Sequence, residues 1–562
     1  MGQAGLASRR QRLILAAAFT AGTLFRVIPY VRRPSLWLDE ARLALNLGSR
    51  SFAGLLRPLD YDQAAPPLFL WAEKLAMLAG GANEYALRGL PLLAGLLVPV
   101  LTYLLARRLA GNRVATVAAV LTAISPALVY YSVQLKPYAS DAVISLALLI
   151  SFVLESDRRG RGWAPGPWTT VLGALAVWAS TTAPFVLAAI ALAWVAARRG
   201  SWRALVVALG CWAVSFGVAY RWVYRPVAEN PYLHWFWGER MLSPWIPGFL
   251  GRAYDGVCDV VFTTFVAEVF EVGSSGLAAG CILAVTVIIG ALMALGFARI
   301  KRSRVEVFIL LAIPALAAVG ASLVGAYPIA GRLMLFSVPL LVIAVAAGVA
   351  QLIAGPGRAA KVAVAVLLGP IVLAGQLRNV VRADDPSREG HLRPGVELLE
   401  RALRAGDPVY VAAGALPAWT FYTTDWARPD TARLARMARE GSSGGRAFEN
   451  APSRGRIVAG EGADLVFSFR DGVELLGTPD GAPVRAGHPR RGLPDSGWAT
   501  SEALRMQHAA HPTVWFVSTT SFGTYRFVEQ ALQSLGGMVR DSLREPWVVV
   551  GLYLFPGGSA KR

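Results

Sequence analysis

The sequence predicts a polytopic α-helical membrane protein with about 11 to 13 transmembrane helices and a C-terminal α/β extracytoplasmic domain. Of the 562 residues, 55% are hydrophobic, and the mean hydropathy is +0.47. The apolar residues are concentrated in repeated runs of roughly 18 to 23 residues, which is the length that crosses a bilayer as a helix. A soluble globular protein does not carry so many runs of that length, so a soluble class is excluded.

The basic residues set the predicted orientation. Arg9, Arg10 and Arg12 precede the first apolar run, which lacks a small-residue cleavage pattern and is predicted to be a retained helix. The positive-inside rule then places the N-terminus in the cytoplasm and the C-terminal domain outside the cell membrane. The later basic loops face the cytoplasm together if the spans are 12–30, 86–106, 114–133, 138–155, 168–181, 182–197, 201–224, 276–298, 305–326, 331–352 and 360–378.

One apolar segment leaves the number of spans open. Residues 66–80 are too short to cross easily, begin with two prolines and carry Glu73 and Lys74. This pattern predicts a juxtamembrane or partly inserted helix. If it is a full span, another span near 257–272 must restore the orientation of the later basic loops, and the count becomes thirteen.

Charge and cysteine content exclude several classes of protein. The net charge of +19 comes largely from Lys and Arg in short loops between apolar runs, which predicts contact with membrane lipids and no nucleic-acid partner. The three cysteines lack the spacing of a disulfide framework or a zinc site. His508 and His511 have no third ligand nearby, so no metal is expected. No Walker motif or glycine-rich nucleotide fingerprint is present, which argues against an ATP-driven transporter.

The composition changes near Asp384, which predicts two domains, 1–383 and 384–562. In the second domain a helical pattern at 394–405 precedes a strand at 408–412. Further along, the predicted elements are a strand at 514–517, a helix at 523–535 and a strand at 547–554. The segment 428–512 is rich in Gly, Arg, Ser and Pro, and its pattern predicts no arrangement.

The outer loop 31–85 carries the first candidate site. Asp39 and Glu40 lie just beyond the first span, and Asp60 and Asp62 follow in the same loop together with several arginines. Ionisable residues at a bilayer are costly unless they are paired, solvated or functional, so the default hypothesis is a functional site. The alternative is that Asp39 caps a short helix beginning at Glu40.

Cations in two later outer turns form the second candidate site. Lys136 lies among tyrosines that include Tyr131 and Tyr138, and such a group can hold a phosphate and a polar ring. The alternative is an interfacial aromatic belt with a snorkelling lysine. Arg332 opens a late helix after the turn that begins at Tyr327. The outer segment 225–255 is rich in Trp and Tyr, which suit either a sugar, a lipid headgroup or membrane anchoring.

Five motifs in order resemble the glycosyltransferase C superfamily: WLDEA, YDQAAPPLFLW, NEYALRGLPLLAG, SPALVYYSVQLKPYASD and YPIAGRLMLFSVPLL. The resemblance covers about residues 10–380. It is closest to the branch that contains protein O-mannosyltransferases and lipid A aminoarabinose transferases. The C-terminal domain loosely resembles the extracytoplasmic domains appended to bacterial members.

The resemblance implies an enzyme that moves a hexose or pentose from a polyprenyl-phosphate carrier to a glycan, lipid or protein acceptor on the outer face, with inversion. It implies no cofactor and no required divalent metal. By the same resemblance, Asp39 is the general base with Glu40 as its neighbouring acid, and the substrate-binding residues are Lys136, Tyr138, Tyr131, Arg332, Asp62 and Arg88, of which Lys136 and Arg332 hold the lipid phosphate.

Two positions depart from the family pattern. Relatives often have His or Lys immediately before the Pro-Pro of the first outer loop, where this chain has Ala65. Lys136 takes the place of a common Arg, which keeps the positive charge but loses the bidentate guanidinium. The first departure bears on an acceptor or phosphate contact from that position, and the second bears on the geometry of the phosphate site.

Two other functions compete with the transferase. The first is a lipid-linked sugar flippase or other transporter, but no span shows charges spaced along its length or a clear inverted repeat. The second is a noncatalytic cell-envelope assembly protein. A scaffold should tolerate Asp39→Asn, whereas a general base should not.

Overall fold

A computed structural model describes residues 8–159, 165–197, 202–245, 248–265, 276–354, 392–402, 408–411, 415–432, 434–435, 438, 465–468, 472–474, 503–504, 513–519, 525–545 and 548–555. It divides into two compact units. The membrane unit consists of residues 1–32, 65–229 and 233–383. The outer unit consists of residues 33–64, 230–232 and 384–562, so the loop that carries the predicted acid pair belongs to the same unit as the C-terminal domain.

Helices dominate the chain up to residue 354. They are α1 (Arg9–Arg32), α2 (Leu38–Ser49), α3 (Pro67–Gly80), α4 (Glu84–Ala110), α5 (Asn112–Ala123), α6 (Pro126–Tyr130), α7 (Tyr138–Arg159), α8 (Pro167–Ala179), α9 (Ala183–Ala197), α10 (Trp202–Ala219), α11 (Arg225–Ala228), α12 (Pro231–Gly238), α13 (Phe249–Phe265), α14 (Gly276–Ser303), α15 (Val305–Leu323) and α16 (Val338–Ala354). A π-helical turn, Tyr220–Tyr224, joins α10 to α11.

The apolar helices indicate a multi-pass membrane protein, as the sequence predicts. Within the described ranges, six helices are long and apolar enough to cross a bilayer, and α5 with α6 makes a seventh if this pair, bent by 57°, is one broken span. Helices α8, α9 and α16 are apolar but shorter. The predicted span 360–378 lies outside the described residues, and the choice between eleven and thirteen spans stays a prediction.

Close helix crossings hold the membrane unit together. Helices α14 and α16 approach each other at Gly296 and Gly348. A Cβ at Gly296 would lie 1.8 Å from the carbonyl oxygen of Ala344, and one at Gly348 would lie 2.1 Å from that of Leu292. Small residues allow such backbone contact inside a membrane, where van der Waals packing rather than hydrophobic collapse joins helices.

Glu155 near the end of α7 holds the start of α8. Its carboxylate accepts hydrogen bonds from the backbone N–H groups of Gly166, Trp168 and Thr169, each at 3.0 Å, and from the Thr169 hydroxyl at 2.6 Å. The first N–H groups of a helix lack intrahelical partners, and the helix dipole favours an anion there. This buried acid is therefore explained by helix capping.

Arg26 stabilises the break between α5 and α6. Its buried guanidinium donates to the carbonyl oxygens of Ala123 at 2.7 Å and Thr122 at 3.3 Å, and to Gly22 on its own helix at 2.9 Å. The last carbonyls of a helix lack intrahelical partners, and a bilayer offers no water to satisfy them.

We expect Arg26→Met to lower the free energy of unfolding by about 2 kcal/mol, because the carbonyls of Thr122 and Ala123 lose a charged donor. Denaturation of the detergent-solubilised protein measures this change. Arg10→Met, at an exposed position at the start of the same helix, is the matched control. An unchanged unfolding midpoint for Arg26→Met would contradict this role.

The outer unit contains a six-stranded sheet with the order β3-β2-β1-β4-β6-β5. The strands are β1 (Pro408–Val411), β2 (Leu465–Ser468), β3 (Gly472–Glu474), β4 (Thr513–Thr519), β5 (Met538–Glu545) and β6 (Val548–Leu554). Strands β1 and β4 are parallel, and the other neighbouring strands are antiparallel.

Three helices are described with this sheet: Leu392–Ala402, Leu416–Tyr422 and Tyr525–Ser534. The predicted strands at 408–412, 514–517 and 547–554 coincide with β1, β4 and β6. Charged residues interrupt edge strand β5, so its sequence lacks the run of apolar residues that predicts a strand. The α/β class of the whole domain stays a prediction, because the structure describes only this small sheet and few helices.

Candidate functional site

Helix α2 carries the predicted acid pair, but its first residue differs from the expectation. The helix begins at Leu38, and Trp37 is its N-cap residue, so the alternative in which Asp39 caps a helix starting at Glu40 is wrong. Asp39 lies in the first turn and is half-buried. Glu40 is fully buried, and its Oε2 accepts the Trp37 N–H at 3.4 Å. Glu40 thus contributes to the start of the helix.

The second half of α2 holds the loop that follows it. Asn46 Oδ1 accepts the Asp60 N–H at 2.8 Å, and Asn46 Nδ2 donates to the Asp60 carbonyl at 3.1 Å. The Arg50 guanidinium contacts the Asp60 carboxylate at 2.8 Å and 3.2 Å. Asp60 is consequently a structural acid, and it fixes where the next residues lie.

Tyr61 and Asp62 have a left-handed backbone, with φ of 60° and 53°. This conformation is uncommon for residues other than glycine and costs about 1–3 kcal/mol unless the surroundings hold it. Two consecutive residues of this kind mark a strained turn, and strain of this kind clusters at functional sites. The turn directs the Asp62 carboxylate to Asn230, whose Nδ2 donates to Asp62 Oδ1 at 3.1 Å.

Tyr232 lies within electrostatic reach of the two predicted acids. The Arg42 guanidinium donates a hydrogen bond to its phenol oxygen, and the Asp62 and Asp39 carboxylates act on it electrostatically. Burial raises the pKa of the Tyr232 phenol, with Asp62 and Asp39 adding to this effect against Arg42. The phenol therefore keeps its proton at neutral pH. We call Asp39, Arg42, Asp62, Asn230 and Tyr232 the α2 cluster.

The second predicted group lies in the membrane unit between α6 and α7. Lys136 is 6% exposed, Tyr131 4% and Tyr138 9%. The Tyr131 ring meets those of Tyr130 and Tyr138 edge to face, with centroids 4.9 Å and 5.2 Å apart. A snorkelling lysine reaches water with its head group, so the burial of Lys136 does not fit the aromatic-belt alternative.

The turn between α15 and α16 reaches the same neighbourhood through Tyr327. Its hydroxyl donates to the Leu333 carbonyl at 2.7 Å. Burial raises the pKa of the Tyr327 phenol well above its usual value, and the Asp141 carboxylate and Tyr138 raise it further. The structure thus brings together the Lys136 segment and the Tyr327–Arg332 turn, which are far apart in the sequence.

Asp141 lies beside Tyr327 as a buried acid in the first turn of α7. The Ser180 hydroxyl hydrogen-bonds its carboxylate. The other carboxylate oxygen, Oδ1, is buried without a hydrogen-bond partner among the described residues. A buried polar atom of this kind requires a physical explanation, and a ligand group is one that fits.

Arg332 is held from two sides. Its guanidinium lies over the Trp237 ring, 5.1 Å from the centroid. The preceding Gly331 N–H donates to Asp259 Oδ2 at 2.9 Å, and the same oxygen contacts Arg240 at 3.3 Å. These contacts fix both the backbone and the side chain at the mouth of the turn. We call Lys136, Tyr131, Tyr138 and Tyr327 the cation cluster, and Arg332 lies five residues after Tyr327 in the same turn.

The remaining predicted positions are less distinctive. Arg88 is buried in α4, and Ala65 is buried at the start of the segment that leads into α3. Across the described ranges, no group of three His, Cys, Asp or Glu side chains is arranged to hold a metal ion. His508 and His511 lie outside the described residues.

Several residues in or beside the two clusters were not singled out from the sequence. Arg42 and Tyr232 were visible only as members of a charged loop and an aromatic segment, and Asn230 carried no signal at all. Asp141 belongs to the SPALVYYSVQLKPYASD motif but was not assigned a role. Asp259 was hidden because its contacts are made with residues distant in the sequence.

Comparisons with known proteins give one family match. Residues 64–224 match the sequence model of the family described as dolichyl-phosphate-mannose-protein mannosyltransferase. No curated protein matches the chain.

Several solved structures are similar at low identity. ArnT from Cupriavidus metallidurans bound to undecaprenyl phosphate is 15% identical, with a TM-score of 0.47, over 97% of this chain and 98% of ArnT. The apo form of that protein is 17% identical, with a TM-score of 0.43, over 96% and 97%.

The oligosaccharyltransferase AglB from Archaeoglobus fulgidus, in complex with an inhibitory peptide and a dolichol-phosphate, is 15% identical, with a TM-score of 0.41, over 67% of this chain. This chain spans 56% of the length of AglB. The family match confirms, over residues 64–224, the predicted resemblance to protein O-mannosyltransferases.

Proposed function

We propose that this protein is an integral-membrane glycosyltransferase that moves a sugar from a polyprenyl-phosphate carrier to a hydroxyl-bearing acceptor outside the cytoplasm. The observation that carries the proposal is that two segments distant in the sequence meet: Tyr327 lies near Tyr138 and Asp141, which follow the buried Lys136. Residues 64–224 of the same chain match a mannosyltransferase family. Lys136 and Arg332 suit a lipid phosphate, because a departing phosphate needs positive charge.

In the proposed reaction Asp39 is the general base. It takes the proton of the acceptor hydroxyl as that oxygen forms a bond to the anomeric carbon of the sugar. The bond from the anomeric carbon to the phosphate oxygen breaks at the same time, with inversion, and polyprenyl phosphate leaves. The Tyr232 phenol accepts a hydrogen bond from Arg42, and the Asp39 and Asp62 carboxylates act on it electrostatically.

We propose that the phosphate is neutralised by the two side-chain cations, so that no divalent metal or other cofactor is required. The N-terminus is proposed to be cytoplasmic and the outer unit extracytoplasmic, as the basic loops predict. The sugar donor, membrane lipids and the acceptor glycan, lipid or protein are then the partners of the chain.

The function is tested by incubating the purified full-length protein with a panel of polyprenyl-phosphate hexoses and pentoses and a membrane extract, with and without a chelator. Mass analysis identifies any molecule that gains a sugar. We expect one donor to be consumed and its sugar to appear on one acceptor class in both arms. Movement of intact lipid-linked sugar across vesicles, without transfer, would support a transporter and refute the enzyme.

We also propose that Asp62, in the same cluster as Asp39, binds a hydroxyl of the acceptor. We then expect Asp62→Asn to raise the KM for the acceptor and to lower kcat/KM by about 10- to 100-fold, the effect of losing one charge-assisted hydrogen bond. Asn tolerates the left-handed backbone as well as Asp does, so the turn should persist. Steady-state kinetics at varied acceptor concentration measures the effect.

Asp60→Asn is the contrasting variant, because it breaks the pair with Arg50. It should lower the free energy of unfolding by about 0.2–1 kcal/mol, whereas Asp62→Asn should leave it unchanged. Wild-type acceptor kinetics in Asp62→Asn would remove Asp62 from the acceptor site.

A further inference from the structure

The backbone just before α2 is held by residues from the C-terminal part of the outer unit. The Leu36 N–H donates to the Tyr422 hydroxyl oxygen at 2.7 Å, and the Arg393 N–H donates to Ser35 Oγ at 3.0 Å. The Arg393 guanidinium also donates to the carbonyl of Arg33 at 2.9 Å. Arg33 has a left-handed backbone, with φ of 54°, which persists only where the surroundings hold it.

The apolar face of α2 packs on the helix Leu416–Tyr422. On α2, Leu43 and Leu47 are buried, and on the facing helix Trp419 and Phe421 are buried. Burial of a leucine side chain contributes about 1.5–3 kcal/mol, so this face fixes α2 more firmly than its short length would.

A close contact sets the position of α2 along this helix. A Cβ on Gly48 would lie 2.0 Å from Trp426 Cζ3, well inside van der Waals contact. The Trp426 ring cannot readily give way, because its Nε1–H donates to the Phe421 carbonyl at 3.0 Å and its centroid lies 5.5 Å from that of the Phe421 ring. Only glycine at position 48 lets α2 and Trp426 approach this closely.

We infer that the C-terminal domain is a positioning element for the catalytic helix, with Tyr422 and Trp426 as its positioning residues. Their contacts fix both ends of α2, the helix that carries Asp39 and Arg42. The catalytic part of this inference rests on the proposed function. A base displaced by about 1 Å from its reacting proton can lose around 100-fold in rate, so the anchoring of α2 controls turnover.

Gly48→Ala and Trp426→Ala test the inference as a pair. Gly48→Ala should lower kcat at least about tenfold with the donor KM unchanged, because α2 shifts while the phosphate site does not. Trp426→Ala removes the clashing ring, so the kcat of the double variant should rise above that of Gly48→Ala, yet stay below the wild-type value because a positioning residue is missing. Wild-type kcat in Gly48→Ala, or no recovery in the double variant, would overturn the inference.

Tyr422→Phe provides a test that does not depend on the proposed reaction or on the folding of Gly48→Ala. It removes one hydroxyl, and hydrogen exchange of the amides in residues 36–49 of the full-length protein should become at least about tenfold faster. The matched control is Tyr553→Phe, which removes a hydroxyl bonded to Glu529 in the same unit and should leave that exchange unchanged. Wild-type exchange in Tyr422→Phe would refute the anchoring even if the enzyme proves to be a glycosyltransferase. Faster exchange in a protein that transfers no sugar would confirm the anchoring and refute the function alone.

Discussion

Asp39→Asn is expected to lower kcat by about 10²- to 10⁴-fold while donor binding stays at the wild-type level, because general-base catalysis contributes a factor of this size. The amide is nearly isosteric with the carboxylate but cannot take a proton from the acceptor hydroxyl. The start of α2 should persist, because its N-cap residue is Trp37 and not Asp39. Steady-state kinetics and equilibrium binding of the polyprenyl-phosphate sugar separate the two effects.

The pH profile adds a second measurement. A base acts only when deprotonated, so wild-type kcat/KM should fall as the pH decreases through the pKa of the base. The residual activity of Asp39→Asn should lose that decrease. Glu400→Gln, the same chemical change on an exposed acid of the outer unit, is the control and should keep the wild-type profile. Near-normal turnover in Asp39→Asn would exclude Asp39 as the base.

Lys136→Met is expected to lower kcat/KM for the donor by about 10²- to 10³-fold, the usual effect of removing one group that stabilises developing negative charge. Met keeps the length and apolar volume of the buried lysine stem, so the local packing should survive. The loss of kcat/KM should be larger than the loss from removing a surface lysine. Lys136 is buried, and the interaction of a buried charge is poorly screened by solvent.

Lys136→Arg distinguishes charge from shape. It restores the cation that relatives commonly carry and should recover most of the lost activity. Lys301→Met is the matched control, because Lys301 is an exposed lysine over an aromatic ring, 5.7 Å from the centroid of Phe308. If Lys136→Met used the donor as efficiently as the wild type, Lys136 would not be a phosphate ligand.

Much of the helical architecture could be predicted from local pattern alone. Apolar runs of bilayer length located α1, α4, α7, α14 and α15, because burial in lipid imposes one composition on every residue of a span. The break between α5 and α6 was not predicted, since the carbonyls there are satisfied by Arg26 from another helix. Strand β5 was not predicted for a similar reason. It is a strand because it pairs with β6, and its own apolar content is too low to predict one.

The candidate acids show the same division. The motif order pointed to Asp39 and Asp62, and the WLDEA motif placed Asp39 near the start of a helix. The sequence pattern could not show that the helix begins one residue before Asp39. Nor could it show that Asp60 forms an ion pair with Arg50, whereas Asp62 accepts a hydrogen bond from Asn230. These outcomes depend on φ/ψ values and partners that no local propensity encodes.

The sequence by itself determined the membrane class, the positions of most helices and the chemical character of the candidate residues, because hydropathy and motif spacing are local properties of the chain. Only the tertiary structure decided that the loop 33–64 belongs with the C-terminal domain, that Arg42 bonds to Tyr232, and that Lys136 is buried while Tyr327 lies near Tyr138 and Asp141. The physical reason is that these features are contacts between distant segments, and their geometry is set by packing around Gly48, Trp426 and the buried tyrosines.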